Sequence, residues 1–366
     1  MEKAHVQRLK VGVVGCGFQG RLHIESLSRI PGVEVVAVCD RDPRRLAEVA
    51  NDYGIGSVYT SHRELLARHE IDVVTVCTMP SSHRLIVIDA LEAGAHVMCE
   101  KPFASSASDA LEMVRTARIT GRMLTVGFNM RFMTAAQSVR SFITHGELGK
   151  PVCARGFMLA DQIPWWGRHY VEVESGGGAL NSTAIHVLDL LMSLTGEWEP
   201  TTASASMARV FPLKRASSVP ANVNPAEFDV EDLFTGHVRF ASGFWLTIQG
   251  AWVWDEPGWN YSFELVGDRG QAQLDPLRFS GERDGSLTRL WPQAEGGTDF
   301  PLSVAAILLD FVEAIRDDRP PRVLAEEALT VQCVVDALYE SARSSREVVV
   351  ELPKEAHSPW PRDSLS

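Results

Sequence analysis

A glycine-rich turn set between a strand and a helix constrains this chain more than any other feature. Leu9–Val14 is a short apolar run, Gly15-Cys16-Gly17-Phe18-Gln19-Gly20 follows it, and Arg21–Ile30 is amphipathic. Val33–Cys39 reads as a second strand and ends at Asp40, 20 residues beyond Gly20. Strand, G-x-G-x-x-G, helix, strand and acid at this spacing form a dinucleotide-binding fingerprint. Gly15 allows the tight turn, Gly17 lets the backbone approach a pyrophosphate, and Gly20 lets helix and strand pack closely. The helix N-terminus offers unpaired N–H groups to phosphate. Cys16, Phe18 and Gln19 belong to the same turn. Asp40 would accept hydrogen bonds from a ribose diol and repel a 2′-phosphate, which favours NAD. Arg41, Arg44 and Arg45 soften that repulsion, so NADP stays open.

The alternation continues. Pro43–Tyr53 predicts a helix with proline in its first turn, and Asp72–Thr78 a buried strand. Cys77, Thr78, Pro80 and His83 fall at that strand's carboxyl end, where ligands bind in an open α/β sheet. His83 either faces the cofactor or caps the helix Arg84–Ala93. Ala95–Glu100 is another strand, closed by Glu100-Lys101-Pro102. Proline cannot extend a ladder, so the chain leaves the sheet at Lys101, within reach of cofactor and substrate. Ser108–Arg118 reads as a helix, Met123–Phe128 as a strand, and Asn129 follows it. Such regular alternation means a doubly wound parallel sheet, helices on both faces, over residues 1–128.

The pattern changes over 129–352. Val152–Leu159, Phe234–Phe240, Gly243–Trp252, Tyr261–Val266 and Gln271–Leu274 are rich in β formers, with helices at Val304–Arg316 and Ala325–Arg343. This predicts an α+β domain with a large, mostly antiparallel open sheet. Phe211–Glu227 reads as a long mobile loop and 353–366 as a loose tail. Gly176-Gly177-Gly178 opens a helix on which Ser182 and His186 lie four apart. His186 is either an acid–base group delivered over a cofactor or a partly buried histidine bonded to backbone.

Together these motifs resemble the Gfo/Idh/MocA family of NAD(P)-dependent oxidoreductases, from Val11 to Leu352. The matching stretches are Gly15 to Gly20, Asp40, Thr78 to His83, Glu100 to Pro102, Gly177 to His186, and the later Glu264–Gly267 and Phe311–Ile315. The resemblance implies a Rossmann domain, an α/β domain whose open sheet mediates a homodimer or homotetramer, and carbohydrate or polyol substrates. It implies hydride transfer between nicotinamide and a hydroxyl carbon of a sugar or cyclitol, with Lys101 and His186 catalytic. Where the family has Asp four residues before the histidine, this chain has Ser182, which can orient the imidazole but supplies no charge. Arg131, Trp165, Trp166, Arg168, His169, Tyr170 and Asn181 are the expected substrate contacts, although the tryptophans would equally serve as core or subunit contact. Two other readings remain: a redox-neutral enzyme that retains NAD and cleaves a glycosidic bond through a transient keto-sugar, and a non-catalytic NAD or sugar sensor.

Composition bounds the rest. A net charge of −12 disfavours nucleic acid as partner. No apolar run approaches the roughly 20 residues of a membrane span. The six cysteines lack any C-x-x-C pair and read as reduced thiols of a cytoplasmic protein, not metal ligands.

Overall fold

The computed structural model describes residues 8–68, 70–164, 166–211, 223–255, 257–283, 286–290 and 300–357. The chain forms two compact units. One takes in Met1–Gly127, Val304–Leu329 and Pro353–Ser366, the other Phe128–Ser303 and Thr330–Leu352.

The first unit holds β1 (Leu9–Val14), α1 (Phe18–Leu27), β2 (Val33–Cys39), α2 (Pro43–Tyr53), β3 (Val58–Tyr59), α3 (His62–Arg68), β4 (Val73–Val76), α4 (Pro80–Glu92), β5 (His96–Cys99), α5 (Ala107–Thr120) and β6 (Leu124–Val126). Its six strands pair in parallel in the order β3-β2-β1-β4-β5-β6. The order reverses direction beside β1, so the glycine turn after β1 stands at the switch point. All four residues of β4 and all three of β6 are buried, as expected of strands covered on both faces.

Later segments join this unit through contacts a linear domain boundary misses. Arg316 donates to Pro31 O at 2.6 Å, and Thr125 Oγ1 to Val323 O at 2.8 Å. The expected loose tail begins instead as a fixed turn, Lys354–Ala356. Arg115 pairs with Glu355 at 2.8 Å, and Arg118 donates to the carbonyls of Glu355 and His357. Residues 358–366 lie outside the described residues.

The second unit holds α6 (Thr134–Thr144), β7 (Pro151–Ala160), α7 (Glu172–Ser175), α8 (Ile185–Thr195), β8 (Pro200–Ala208), β9 (Leu233–Phe240), β10 (Trp245–Ala251), β11 (Trp259–Gly267), β12 (Gly270–Gln273), β13 (Arg278–Arg283) and β14 (Ser286–Leu290). After α9 (Phe300–Asp317) and α10 (Ala325–Ser344), β15 (Val348–Val349) closes the sheet. The order is β14-β13-β12-β11-β7-β10-β9-β8-β15, antiparallel except for the parallel β7–β10 pair. Strand β9 alternates buried and more open positions, the signature of a sheet covered on one face only. Helix α8 lies on the covered face, against β7 and β11. It comes close because a side chain is missing where it crosses: a Cβ on Gly156 would stand 2.7 Å from Val187 Cγ1. Most of the Phe211–Glu227 loop falls outside the described residues. Its end is a short turn, Pro225–Glu227. Among the described residues no helix is long and apolar enough to cross a membrane.

Candidate active site

The first unit builds a cofactor cradle. Gly15 has φ +97°, and a Cβ there would lie 2.4 Å from the Cys77 carbonyl. A Cβ on Gly20 would lie 1.8 Å from Gly15 O, so helix and strand meet backbone to backbone. Gly17 differs, with nothing within 4 Å of an added Cβ. Its missing side chain leaves open space at the start of α1. Open space at a helix N-terminus suits a pyrophosphate. Asp40, 7% exposed, accepts from Cys16 N at 2.8 Å and Asp42 N at 2.9 Å, and Arg45 Nη1 approaches at 3.1 Å. Arg45, rather than the exposed Arg41, is thus the arginine that tempers its charge. Phe18 is 48% exposed beside the turn.

Beneath the cradle lies a buried carboxylate. Glu100 accepts from Gln19 Nε2 at 2.9 Å, sits 3.0 Å from His23 Nε2, and receives Lys101 N at 3.2 Å. Burial works to raise its pKa, yet His23, the Lys101 charge and Gln19 outweigh it and hold the carboxyl below the usual range. Burial pushes the Lys101 ammonium below its usual range, with Glu100 resisting. Gly127 belongs to the same contact, since a Cβ there would stand 2.7 Å from Glu100 Oε1. His23, on the inner face of α1, was not among the residues marked by sequence. The signal was a histidine at a core-facing position of the helix after the fingerprint.

His83 neither caps a helix end nor points outward. It sits in the first turn of α4, which starts at Pro80, and is fully buried. Its Nδ1 lies 3.0 Å from Pro102 O and its Nε2 3.0 Å from Thr78 O, tying the loop after β4 to the loop after β5. Burial pushes its pKa down, against these carbonyls. Thr78 Oγ1 accepts from Ser82 at 2.8 Å. Among the nearby thiols, burial and then the Asp40 charge push Cys16 up to about 12, and burial with Glu100 raises Cys77 and Cys99 well above the ordinary value, which favours the protonated form. No group of His, Cys, Asp or Glu among the described residues could hold a metal ion.

The second unit carries the histidine helix. A wide π-type turn, Ala179–Ala184, runs directly into α8 and places Asn181, Ser182 and His186 in the interior at 0%, 2% and 5% exposure. Ser182 Oγ donates to Gly177 O and meets His169 Nδ1, each at 3.2 Å. Asn181 donates to Ser175 O at 3.0 Å. The Phe128 ring stands edge-on to His186 with centroids 6.4 Å apart. Trp166 packs against His169 at 6.4 Å and Trp259 at 5.5 Å, an aromatic wall beside Ser182. Tyr170 is buried, and Trp165 lies outside the described residues.

Three expected contacts are otherwise engaged. Arg131, 3% exposed, is bidentate to the fully buried Asp189, with Nε–Oδ2 2.8 Å and Nη2–Oδ1 2.5 Å. Its fork is spent on a framework pair, not offered to substrate. Arg168 pairs with Glu227 at 3.1 Å and Glu174 at 3.4 Å. Asn129, expected at the cofactor, donates to Ser303 Oγ at 2.6 Å within the second unit.

Comparison with known proteins agrees with this arrangement. Residues 9–128 match the model of an oxidoreductase family with an NAD-binding Rossmann fold, and residues 136–273 match the GFO/IDH/MocA C-terminal domain. The chain is 30% identical to D-glucoside 3-dehydrogenase of Escherichia coli, over 93% of this chain and 97% of the relative. It is 31% identical to inositol 2-dehydrogenase of Burkholderia cenocepacia, over 92% and 94%. Among solved structures, levoglucosan dehydrogenase in complex with NADH superposes with a TM-score of 0.84 at 24% identity, over 95% of this chain and 100% of that one. An Agrobacterium radiobacter oxidoreductase in complex with NAD+, L-tartaric acid and magnesium gives 0.80 at 26%, over 94% and 99%. The cradle, the buried Glu100 beside Lys101, the histidine helix on its sheet and these matches have one reading: the chain belongs to the Gfo/Idh/MocA family of NAD-dependent oxidoreductases.

Proposed function

We propose that this enzyme moves a hydride between NAD and a hydroxyl-bearing ring carbon of a sugar or cyclitol. The observation that carries this is 30–31% identity, over 92–93% of the chain, to dehydrogenases named for a glucoside and for inositol. NAD, when bound, supplies the hydride acceptor. His186 takes the substrate hydroxyl proton, and Lys101, as ammonium, stabilises the developing alkoxide. A lysine whose pKa is lowered by burial gives up a proton more readily than a solvated one, which suits a relay. Trp166 and His169 offer an aromatic face to sugar C–H groups, with Tyr170, Asn181 and Ser182 bordering it. The cofactor contacts are assigned to Gly15 to Gly20, Asp40, and the loop residues Cys77, Thr78 and Pro80. The uncovered sheet face, with Trp245 38% exposed and tilted against His237 with ring centroids 5.6 Å apart, supports association of two or four copies through β9 and β10. Six free cysteines suit the cytoplasm.

The test is to incubate the protein with NAD+ and a panel of methyl glycosides and inositols and to follow NADH. One member should reduce NAD+, and Lys101→Ala and His186→Ala should each lose most turnover while binding NAD nearly as wild type. Failure of every panel member would overturn the substrate class. Cofactor retained through purification, with no net turnover of added NAD+, would replace it with redox-neutral chemistry. A strictly monomeric mass by light scattering would refute the association.

A further inference from the structure

The helix that carries His186 begins in an unusual way. A helix start leaves its first amides without intrahelical partners, and here one residue from elsewhere in the chain takes three in succession. Glu231 accepts Gly178 N at its Oε2 at 2.9 Å, Ala179 N at its backbone carbonyl at 3.0 Å, and Leu180 N at its Oε1 at 2.9 Å. Tyr339, from α10, donates its hydroxyl to the same Oε1 at 2.9 Å. The fit is closed by glycines. A Cβ on Gly177 would stand 1.9 Å from the Tyr339 hydroxyl, and one on Gly178 1.9 Å from Glu231 O. Ser182, whose N–H bonds back to Gly178 O at 2.8 Å, lies on the next turn, and His186 one turn further.

We propose that Glu231, held by Tyr339, is the positioning residue for the catalytic helix, and that Ser182 and His186 are set in place only while its carboxyl is ionised. The proposal rests on the reading of His186 as the base. Ionisation matters because the carboxylate serves three donors with its two oxygens, and a proton on either oxygen would replace an acceptor with a donor. The groups facing it are the Gly178 and Leu180 amides from the helix start and the Tyr339 hydroxyl from α10. Asp232, next in the chain, turns away to the amides of Val210 and Phe211. Burial pushes the Glu231 pKa up to about 7 against its hydrogen bonds. Burial first, and then the Glu231 charge, drive Tyr339 well above its usual range, so it stays a donor.

Hydrogen exchange on the full-length protein, read at the peptide spanning 176–190 and corrected for intrinsic pH dependence, tests this without knowing the substrate. Wild type should lose protection as pH falls from 8 to 6, with exchange faster by roughly fivefold or more, the scale of a lost helix cap. Glu231→Gln presents an amide N–H₂ to one donor, so it should show the fast exchange at every pH. Tyr339→Phe keeps the carboxylate but removes one donor, so its transition should move to higher pH. With whichever methyl glycoside or inositol is turned over, Glu231→Gln should lower kcat at pH 8 with KM and NAD binding near wild type, and remove one of two ionisations from the acidic limb. Exchange in wild type that is independent of pH, or a Tyr339→Phe transition at the wild-type pH, would overturn the proposal. Protection that follows the prediction while no panel member is oxidised would leave the proposal standing and refute only the substrate class.

Discussion

Breaking the Arg131–Asp189 pair should cost more stability than any other single change in the second unit's polar framework. Both partners are buried, at 3% and 0% exposure, and the contact is bidentate at 2.8 and 2.5 Å. Arg131→Met would leave the Asp189 carboxylate charged in the interior without its guanidinium, and breaking a buried pair from one side costs roughly 3–5 kcal/mol. The guanidinium also stands 5.4 Å from the Trp198 ring centroid, an attraction worth roughly 0.5–2 kcal/mol that is lost at the same time. The expected penalty for Arg131→Met is therefore about 5 kcal/mol. The double variant Arg131→Met with Asp189→Leu removes both charges together and should return to within about 1–2 kcal/mol of wild type, because an ion pair replaced by apolar side chains of similar volume is close to neutral. Urea unfolding followed by tryptophan fluorescence would read this, since Trp198 and Trp252 lie in the unit concerned. A single-variant loss below about 1 kcal/mol, or a double variant no better than the single, would refute the reasoning. A raised KM at unchanged stability would instead return Arg131 to the substrate.

The cofactor cradle yields two more predictions. Asp40→Ser should narrow or invert the preference for NAD(H) over NADP(H), read as melting-temperature shifts at equal cofactor concentration, because Arg45 at 3.1 Å would then face a 2′-phosphate unopposed; an unchanged preference would place the discrimination elsewhere. His23→Leu should cost roughly 2 kcal/mol at pH 7, the scale of a buried hydrogen bond to a charged group. Because the folded pKa of Glu100 lies below its ordinary value, this stability is present above about pH 4.5 and lost as pH falls through the folded value. The variant's deficit should therefore shrink on acidification, and a deficit equal at pH 7 and pH 4 would count against the assignment.

The first sheet was legible because its signals are local. The central parallel strands are covered on both faces, so β1, β4 and β5 show as apolar runs, and the glycine turn with Asp40 spans only one β-α-β unit. The second sheet was legible only in part. Pro200–Ala208 is built mainly of Thr, Ser and Ala, with no run of β formers, and is a strand because β9 pairs with it, Ala203 against Val238. The parallel β7–β10 pairing, Cys153 against Trp245, joins segments some ninety residues apart and leaves no mark in either. The same distance hid His23, 77 residues from Glu100, and Glu231, 53 residues from Gly178. Buried polar groups need partners, but a sequence shows the need without the partner.

Ser182 is where the two kinds of information meet. From the sequence it reads as a lost charge, a hydroxyl where the family pattern has a carboxylate. In the structure the hydroxyl donates to Gly177 O and lies 3.2 Å from His169 Nδ1. The serine thus couples the glycine loop to the aromatic wall of Trp166 and Trp259. The carboxylate on this segment enters from another part of the chain, as Glu231, and acts on the first amides of the helix rather than beside the imidazole. A negative charge at the helix start favours the helix dipole without contributing an acceptor at position 182. On the roles proposed above, the negative charge and the ordering of the His186 helix come from Glu231 at its first amides, while Ser182 ties the glycine loop to His169.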